Sequence, residues 1–192
     1  MEPVLDWEAR YQAASVPWER DGLNPAFTAW MPWLEKQQGS VLVPGCGRSP
    51  EMRAFADLGF YAVGIDLAES AARFQEAALT QSGGRGEVIT SNLFDWLPET
   101  PVDIIYEQTC LCALKPEHWA AYETQLTRWL RPGGSLLVLF MQTGEEGGPP
   151  FHCDLDAMAE LFAPDRWVWE NTPLRSEHPL GVYELGYRLT LR

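Results

Sequence analysis

Strand-length apolar runs alternate with amphipathic stretches through most of the chain. The runs are "SVLVP" (40–44), "YAVGID" (61–66), "GEVITSN" (86–92), "PVDIIYEQT" (101–109) and "SLLVLFM" (135–141). Between them, "PEMRAFADLG", "SAARFQEAALTQ" and "PEHWAAYETQLTRWLRPGG" place apolar residues at helical spacing, and "RPGG" is expected to end the last helix. Strands that are separated by helices build parallel sheets covered on both faces. The pattern therefore predicts a doubly wound α/β fold of the Rossmann-like kind.

The two ends of the chain have different patterns. Near the C-terminus, "RWVWEN" (166–171) and "GVYELGYRLTLR" (181–192) are predicted to pair as an antiparallel hairpin, because the second alternates apolar and polar positions. The whole sheet is then expected to have seven, mostly parallel, strands. At the N-terminus, "DWEARYQAA" and a helix beginning at Asn24-Pro25 predict a helical extension over residues 1–38. We expect a single domain spanning residues 1–192.

Composition excludes several classes of function. The 192 residues carry 27 acidic and 14 basic side chains, and a formal charge of -13 argues against a nucleic-acid partner. The longest apolar run is too short to cross a bilayer, and "MEPVLDWEAR" lacks the pattern of a secretory signal. We expect a cytoplasmic protein whose four cysteines are free thiols and which has no metal site. These cysteines are Cys46, Cys110, Cys112 and Cys153.

A glycine turn follows the first predicted strand, where open α/β sheets bind ligands. Gly45 and Gly47 allow a ligand to approach the backbone, but the third glycine of a dinucleotide fingerprint and the Walker pattern are both absent. Asp66 ends the next strand about twenty residues on, where a carboxylate can accept both hydroxyls of a ribose. Asn92, with the apolar residues after it, is positioned to flank an adenine. The combination favours S-adenosylmethionine over a nicotinamide dinucleotide and over an incidental structural turn.

Three segments resemble a known family: "LVPGCGRSPEMRAFADLGFYAVGIDLAES", "IYEQTCLCALKPEHWAAY" and "GGPPFHCDLDAMAELF". They are similar to the thiopurine S-methyltransferase superfamily of class I S-adenosylmethionine-dependent enzymes. Thiopurine enzymes typically have Pro-Leu-Cys-Gly in the first turn, a Glu after the second strand and an Arg at the position of Gln108. With Pro-Gly-Cys-Gly, Asp66 and Gln108, this chain is more similar to the thiol and halide methyltransferase branch.

The resemblance implies roles for individual residues. It makes residues 1–38 a cover over the active site, although its aromatic residues are equally suited to anchoring a helix to the core. The residues expected to bind the cofactor are Trp7, Tyr11, Trp18, Gly45, Cys46, Gly47, Asp66, Leu67, Asn92, Leu93 and Gln108. Trp18 and Phe151 are expected in the substrate pocket. Independently of the resemblance, Glu107 at the end of its predicted strand and His152 after the Gly-Pro-Pro loop are the candidates for orienting the substrate or taking a proton. A simple loop contact is the alternative for His152.

The predicted activity is methyl transfer from S-adenosylmethionine to a small-molecule nucleophile, which leaves S-adenosylhomocysteine. A thiol, hydrosulfide or halide acceptor fits the branch that the chain resembles. Because a sulfonium is already a good leaving group, the protein mainly has to align the reactants and exclude water. Thiopurines and oxidised selenium or tellurium species remain alternative acceptors. A protein that binds the cofactor without catalysis is a further alternative.

Overall fold

The computed structural model describes residues 6–170 and 172–192, so residues 1–5 of the predicted cover and Asn171 lie outside the described part. Its α-helices are α1 (Trp7–Gln12), α2 (Pro25–Leu34), α3 (Glu51–Asp57), α4 (Glu69–Ser82), α5 (Trp119–Trp129) and α6 (Leu155–Leu161). Its strands are β1 (Ser40–Pro44), β2 (Tyr61–Asp66), β3 (Gly86–Thr90), β4 (Val102–Glu107), β5 (Leu130–Gln142), β6 (Trp167–Trp169), β7 (Leu174–Glu177) and β8 (Tyr183–Leu191).

The strands form one mixed sheet in the order β3-β2-β1-β4-β5-β8-β6, and β7 also pairs with β8. The first five strands in this order are parallel, and β8 runs antiparallel to β5. This arrangement confirms the predicted doubly wound α/β fold with antiparallel strands at its C-terminal end. The strand order reverses between β1 and β4, which is the switch point where such sheets bind ligands.

The C-terminal strands are more elaborate than the predicted hairpin. One edge of β8 pairs with β5, while the other edge pairs with β6 near Leu191 and with β7 near Tyr183. The sequence pattern missed β7 because its four residues, "LRSE", are short and mostly polar. The described sheet therefore has eight strands, not seven.

The segment "RPGG" also differs from its prediction. Helix α5 ends at Trp129, and β5 begins at once with Leu130, so that "RPGG" lies inside the strand. The pairing of β4 with β5 shifts between Val102 and Ile104, so residues 131–134 are accommodated as an irregularity in the ladder. The glycines thus turn the chain within a long strand.

Aromatic side chains fill the core on both faces of the sheet. On one face Tyr122, Trp129 and Trp167 pack with Phe140 and Phe162. On the other, Phe27 packs edge-to-face against Phe55, with ring centroids 5.0 Å apart, and Tyr106 and Phe60 extend the cluster. Burial of large rings supplies most of the stabilisation of such a domain. It also fixes the strands whose ends form the site.

We predict that Trp167→Ala destabilises the fold by about 3–5 kcal/mol, because it removes a buried indole. Trp167 is 0% exposed, and its Nε1 donates a hydrogen bond to Glu123 Oε1 at 2.6 Å. Urea unfolding measures the loss. Val168, the next residue of the strand, is 43% exposed, and Val168→Ala is the matched control, with an expected change within about 0.5 kcal/mol. Equal effects of the two changes would contradict the assigned core.

Candidate functional site

A cavity of about 550 Å³ opens at the carboxyl ends of the parallel strands. Residues at or just after the ends of four strands line it, together with one from β5: Gly45, Asp66, Asn92, Gln108 and Met141. The segment between α1 and α2 and the loop that contains Pro149 and Pro150 also contribute to the wall. The volume lies in the range usual for cofactor and small-molecule sites.

The glycine turn after β1 brings bare backbone to the cavity wall. Gly45 and Gly47 have φ angles of +55° and +48°, which residues with a Cβ rarely adopt. A Cβ on Gly47 would lie 2.6 Å from the Tyr11 hydroxyl, and one on Gly45 would lie 3.0 Å from Cys110 Sγ. The turn therefore needs glycine for its conformation and for the space around it.

Asp66 ties this turn to the start of α4. Its Oδ2 accepts the N–H of Gly47 at 2.8 Å, and its Oδ1 accepts the N–H of Ala68 at 2.8 Å. The carboxylate is 7% exposed, and burial raises its pKa above the usual value, against the opposing effect of these N–H bonds. Since each oxygen has a second lone pair, the carboxylate can still accept hydroxyl groups from a ligand in the cavity.

The neighbouring strand ends supply an apolar edge. Leu67 and Phe94 are exposed in the cavity wall, and Leu93 lies between the cavity and the core. Asn92 Oδ1 accepts the N–H of Phe94 at 2.9 Å, which fixes the turn after β3. Gln108 is held from below, because the Tyr106 hydroxyl donates to its Oε1 at 2.6 Å. This edge offers flat apolar contacts to a planar group.

The N-terminal segment closes the cavity from above. Trp18 packs edge-to-face against Trp7 and Tyr11, with centroids 5.6 and 6.0 Å apart. Arg48, in the turn after β1, forms a two-point ion pair with Glu19, at 2.6 Å (Nε to Oε1) and 2.8 Å (Nη2 to Oε2). The aromatic residues also pack on Ala68 and Ala71. The same aromatic residues can therefore anchor the N-terminal segment to the core and line the cavity.

Three cysteines line the cavity or its floor: Cys46, Cys110 and Cys112. All four cysteines of the chain are free and buried, and burial raises the pKa of these three thiols well above the usual value. They are therefore protonated at neutral pH and poor nucleophiles. Within the described residues, His, Cys, Asp and Glu side chains form no group of three or more that could hold a metal ion.

Comparison with known proteins identifies the family. The family model described as thiopurine S-methyltransferase matches residues 4–176. The chain belongs to the thiopurine S-methyltransferase family. This membership confirms the resemblance seen in the motifs, and with it the prediction of an S-adenosylmethionine-dependent methyltransferase.

Relatives that are similar to this chain come from plants and bacteria. Thiocyanate methyltransferase 1 of Arabidopsis thaliana is 28% identical over 161 residues, which cover 82% of this chain and 71% of that protein. A thiopurine S-methyltransferase of Legionella pneumophila is 30% identical over 171 residues, which cover 80% and 77%. A solved S-adenosylmethionine-dependent methyltransferase from Methanosarcina mazei shares the fold, with a TM-score of 0.70, 19% identity and coverage of 88% and 97%.

All eleven residues that the thiopurine S-methyltransferase resemblance assigned to the cofactor line the cavity. Their contacts with a cofactor stay a prediction. Trp18, assigned to the substrate pocket as well, also lines it. Phe151, in contrast, is not among the lining residues of the described part, and its N–H bonds to Cys112 O, in the segment after β4, at 2.7 Å. Pro149 and Pro150 take that place on the wall.

Glu107 and His152, the two candidate catalytic residues, also lie off the cavity wall. Glu107 is fully buried, and its Oε1 accepts the N–H groups of Cys110 at 3.0 Å and Leu111 at 2.6 Å. Burial raises its pKa to about 8. His152 Nδ1 accepts the N–H of Gly144 at 3.2 Å, which is the loop contact named above as its alternative. In this geometry neither residue faces the space where reactants meet, and a catalytic role for them stays a prediction.

Arg20 and His178 are among the polar wall residues to which the sequence analysis assigned no role. Arg20 Nη2 pairs with Glu184 Oε2 at 3.2 Å across 164 positions of sequence. His178 lies in the turn between β7 and β8. The sequence does place Arg20 in the loop before Asn24. No local pattern, however, indicates that β8 approaches this loop.

We predict a pH-dependent effect of Glu107→Gln on stability. A carboxyl group whose folded pKa is about 8 binds more protons in the folded than in the unfolded state. The contribution of Glu107 to the free energy of unfolding is therefore fully present below about pH 4.5 and is lost progressively as the pH rises to 8. Glutamine does not titrate, so the free energy of unfolding of the Glu107→Gln variant does not fall in this way. Urea unfolding between pH 5 and 9 should therefore show the variant gaining on the wild type up to pH 8.

A constant stability difference across this pH range would contradict the assignment. Glu184, whose pKa burial raises to about 7, is present in both proteins, so its own titration contributes to both curves. The comparison therefore reports on Glu107.

Proposed function

We propose that the chain transfers a methyl group from S-adenosylmethionine to the sulfur of a small nucleophile, namely a thiol, hydrosulfide or thiocyanate, with halides as related acceptors. The single observation that carries the proposal is the cavity at the switch point. Its wall combines the bare glycine turn, the Asp66 carboxylate and the apolar edge beside Asn92.

These residues fit S-adenosylmethionine. The positive φ angles and missing Cβ atoms of Gly45 and Gly47 leave a cradle for a group that lies against the backbone. Asp66 keeps lone pairs for the two ribose hydroxyls, and Leu67 and Phe94 offer apolar contacts to an adenine. A third glycine, needed for a pyrophosphate, is absent. The site thus supports a nucleoside without a phosphate.

The proposed class of methyl acceptor rests on the names of the relatives and on the side chains of the cavity wall. The relatives in plants are named for thiocyanate and thiol, and those in bacteria for thiopurines. Trp18, Met141 and the Pro149–Pro150 pair give the wall an apolar character, which favours soft, weakly hydrated nucleophiles. The bacterial relatives make thiopurines the second candidate acceptor. The argument against them is that this chain has Gln108 where thiopurine enzymes typically have an Arg.

When bound, S-adenosylmethionine supplies a methyl group on a positively charged sulfur. The chain itself holds the reactants in line and keeps water out through the N-terminal segment that is pinned by the Arg48–Glu19 pair. A general base is unnecessary, because a few per cent of a free thiol is already thiolate at neutral pH. The protonated cysteines take no covalent part, so transfer is direct.

Residues 1–38 are proposed to act as the cover of this site within a single domain. The described part of the segment supports this, since α1 bonds to the start of α4 through Glu8, which accepts the N–H of Ser70 at 2.9 Å.

In the described residues, no helix has the length and apolar character needed to cross a bilayer. A cytoplasmic location stays a prediction, and the four free cysteines are in keeping with it. The partners we propose are small molecules, since the formal charge of -13 disfavours nucleic acid.

The proposal is tested by methyl transfer from labelled S-adenosylmethionine to thiocyanate, hydrosulfide, small thiols, iodide and a thiopurine. We expect turnover with the first four and little with the thiopurine. Asp66→Asn should weaken cofactor binding about tenfold or more in calorimetry, because an amide cannot accept both the backbone N–H groups and the ribose hydroxyls.

Asp57→Asn, on the exposed side of α3, is the matched control and should bind the cofactor like the wild type. Cofactor binding without turnover on any acceptor would favour a non-catalytic binding protein. Failure of the folded wild type to bind the cofactor would contradict the proposal altogether.

A further inference from the structure

Two residues that line the cavity each have a buried nitrogen atom without a hydrogen-bond partner among the residues that the structure describes. These atoms are Nε of Arg20 and Nε2 of His178. The side chains lie close enough for the Arg20 charge to lower the pKa of His178. Because buried donors are nearly always paired in folded proteins, two such groups on one cavity wall indicate a ligand that accepts hydrogen bonds.

The hydrogen bonding of His178 fixes which of its nitrogens carries the proton. Its Nδ1 accepts the N–H of Leu180 at 3.2 Å and is therefore unprotonated. Burial, and next the nearby Arg20 charge, lower the pKa of His178 to about 4, so that the ring is neutral at physiological pH. The neutral ring then has its single proton on Nε2, which makes this atom a donor and excludes it as a general base.

Arg20 contributes a local positive charge. Only its Nη2 contacts Glu184, at 3.2 Å, which leaves Nε unengaged within the described part of the chain. Burial raises the pKa of Glu184 to about 7, so this carboxyl group is only partly ionised near neutral pH and offsets the guanidinium charge incompletely. In a chain with a formal charge of -13, an anion needs such a local cation to enter the cavity.

His178 lies away from the part of the cavity that fits the nucleoside, and the Arg20 side chain extends to Glu184 of β8. Asp66 ends β2, whereas His178 follows β7, which pairs with β8, and β2 and β8 are four positions apart in the sheet. At the usual strand spacing this separation corresponds to about 19 Å. Met141, Pro149, Pro150 and Leu180 line the cavity on the same side as His178. This is the side left for the methyl acceptor.

We propose that Arg20 Nε–H and His178 Nε2–H bind the methyl acceptor and select anions: thiolates, hydrosulfide, thiocyanate and halides. The assignment rests on the proposed function. A lone pair of the anion forms the new bond to the methyl carbon, while the bond from that carbon to the donor sulfur breaks and leaves its electrons on sulfur. Anion and sulfonium become two neutral products, and no proton is released. The weakly polar surroundings favour anions that lose their water easily.

The test is calorimetric titration of thiocyanate into the enzyme saturated with S-adenosylhomocysteine, which measures acceptor binding without turnover. His178→Leu and Arg20→Lys should each weaken thiocyanate binding about tenfold or more, while the affinity for S-adenosylhomocysteine is unchanged. His178→Gln, which places an amide N–H at a similar reach, should recover much of the binding. In turnover assays the same variants should raise the KM for thiocyanate more than they lower kcat.

Arg175→Lys is the matched control, because Arg175 lies in the same C-terminal region but is exposed and paired with Glu177. It should bind thiocyanate like the wild type. Unchanged thiocyanate binding in both His178→Leu and Arg20→Lys, or no thiocyanate binding by a wild type that binds S-adenosylhomocysteine, would overturn this assignment alone. A wild type that does not bind S-adenosylhomocysteine would overturn the proposed function and this assignment together.

Discussion

The double hydrogen bond of the Asp66 carboxylate is the constraint on which the site depends. One oxygen holds the N–H of Gly47 and the other holds the N–H of Ala68. The glycine turn after β1 and the start of α4 are thereby fixed to one another at the carboxyl end of β2. Because burial disfavours the charged form of this group, the N–H bonds also stabilise the carboxylate that a ribose would need.

The cover of the site is organised around the same turn. The Tyr11 hydroxyl sits where a side chain on Gly47 would have to go, and Arg48 of the turn extends to Glu19 in the N-terminal segment. Asn24 continues the connection, since its N–H bonds to Glu51 Oε1 at 2.6 Å and its Nδ2 bonds to Glu184 Oε2 at 3.1 Å. Polar contacts, some of them buried, thus join the glycine turn, the N-terminal cover and the C-terminal strands, and they fix the position of the cover.

Local features of the chain were predictable from the sequence. Asn24 begins α2 by accepting the N–H of Ala26, as its position before a helical pattern indicated. Gly45, Gly47 and Asp66 were found because the ends of parallel strands meet at one edge of the sheet.

What escaped prediction depends on contacts between distant segments. The pairing of β7 with β8 and the approach of Arg20 to Glu184 have no local signal. Glu107 was expected at the site because it ends a strand, but β4 lies in the middle of a sheet covered on both faces, and its last side chain is buried.

A crystal structure of the chain with S-adenosylhomocysteine tests the central claim most directly. The account predicts that the two ribose hydroxyls contact the Asp66 carboxylate, that the ligand lies against the backbone of Gly45 and Gly47, and that the adenine packs beside Leu93 and Phe94. Its sulfur should point toward the side of the cavity that holds Arg20 and His178. A ligand bound elsewhere, or one whose ribose makes no contact with Asp66, would contradict the account.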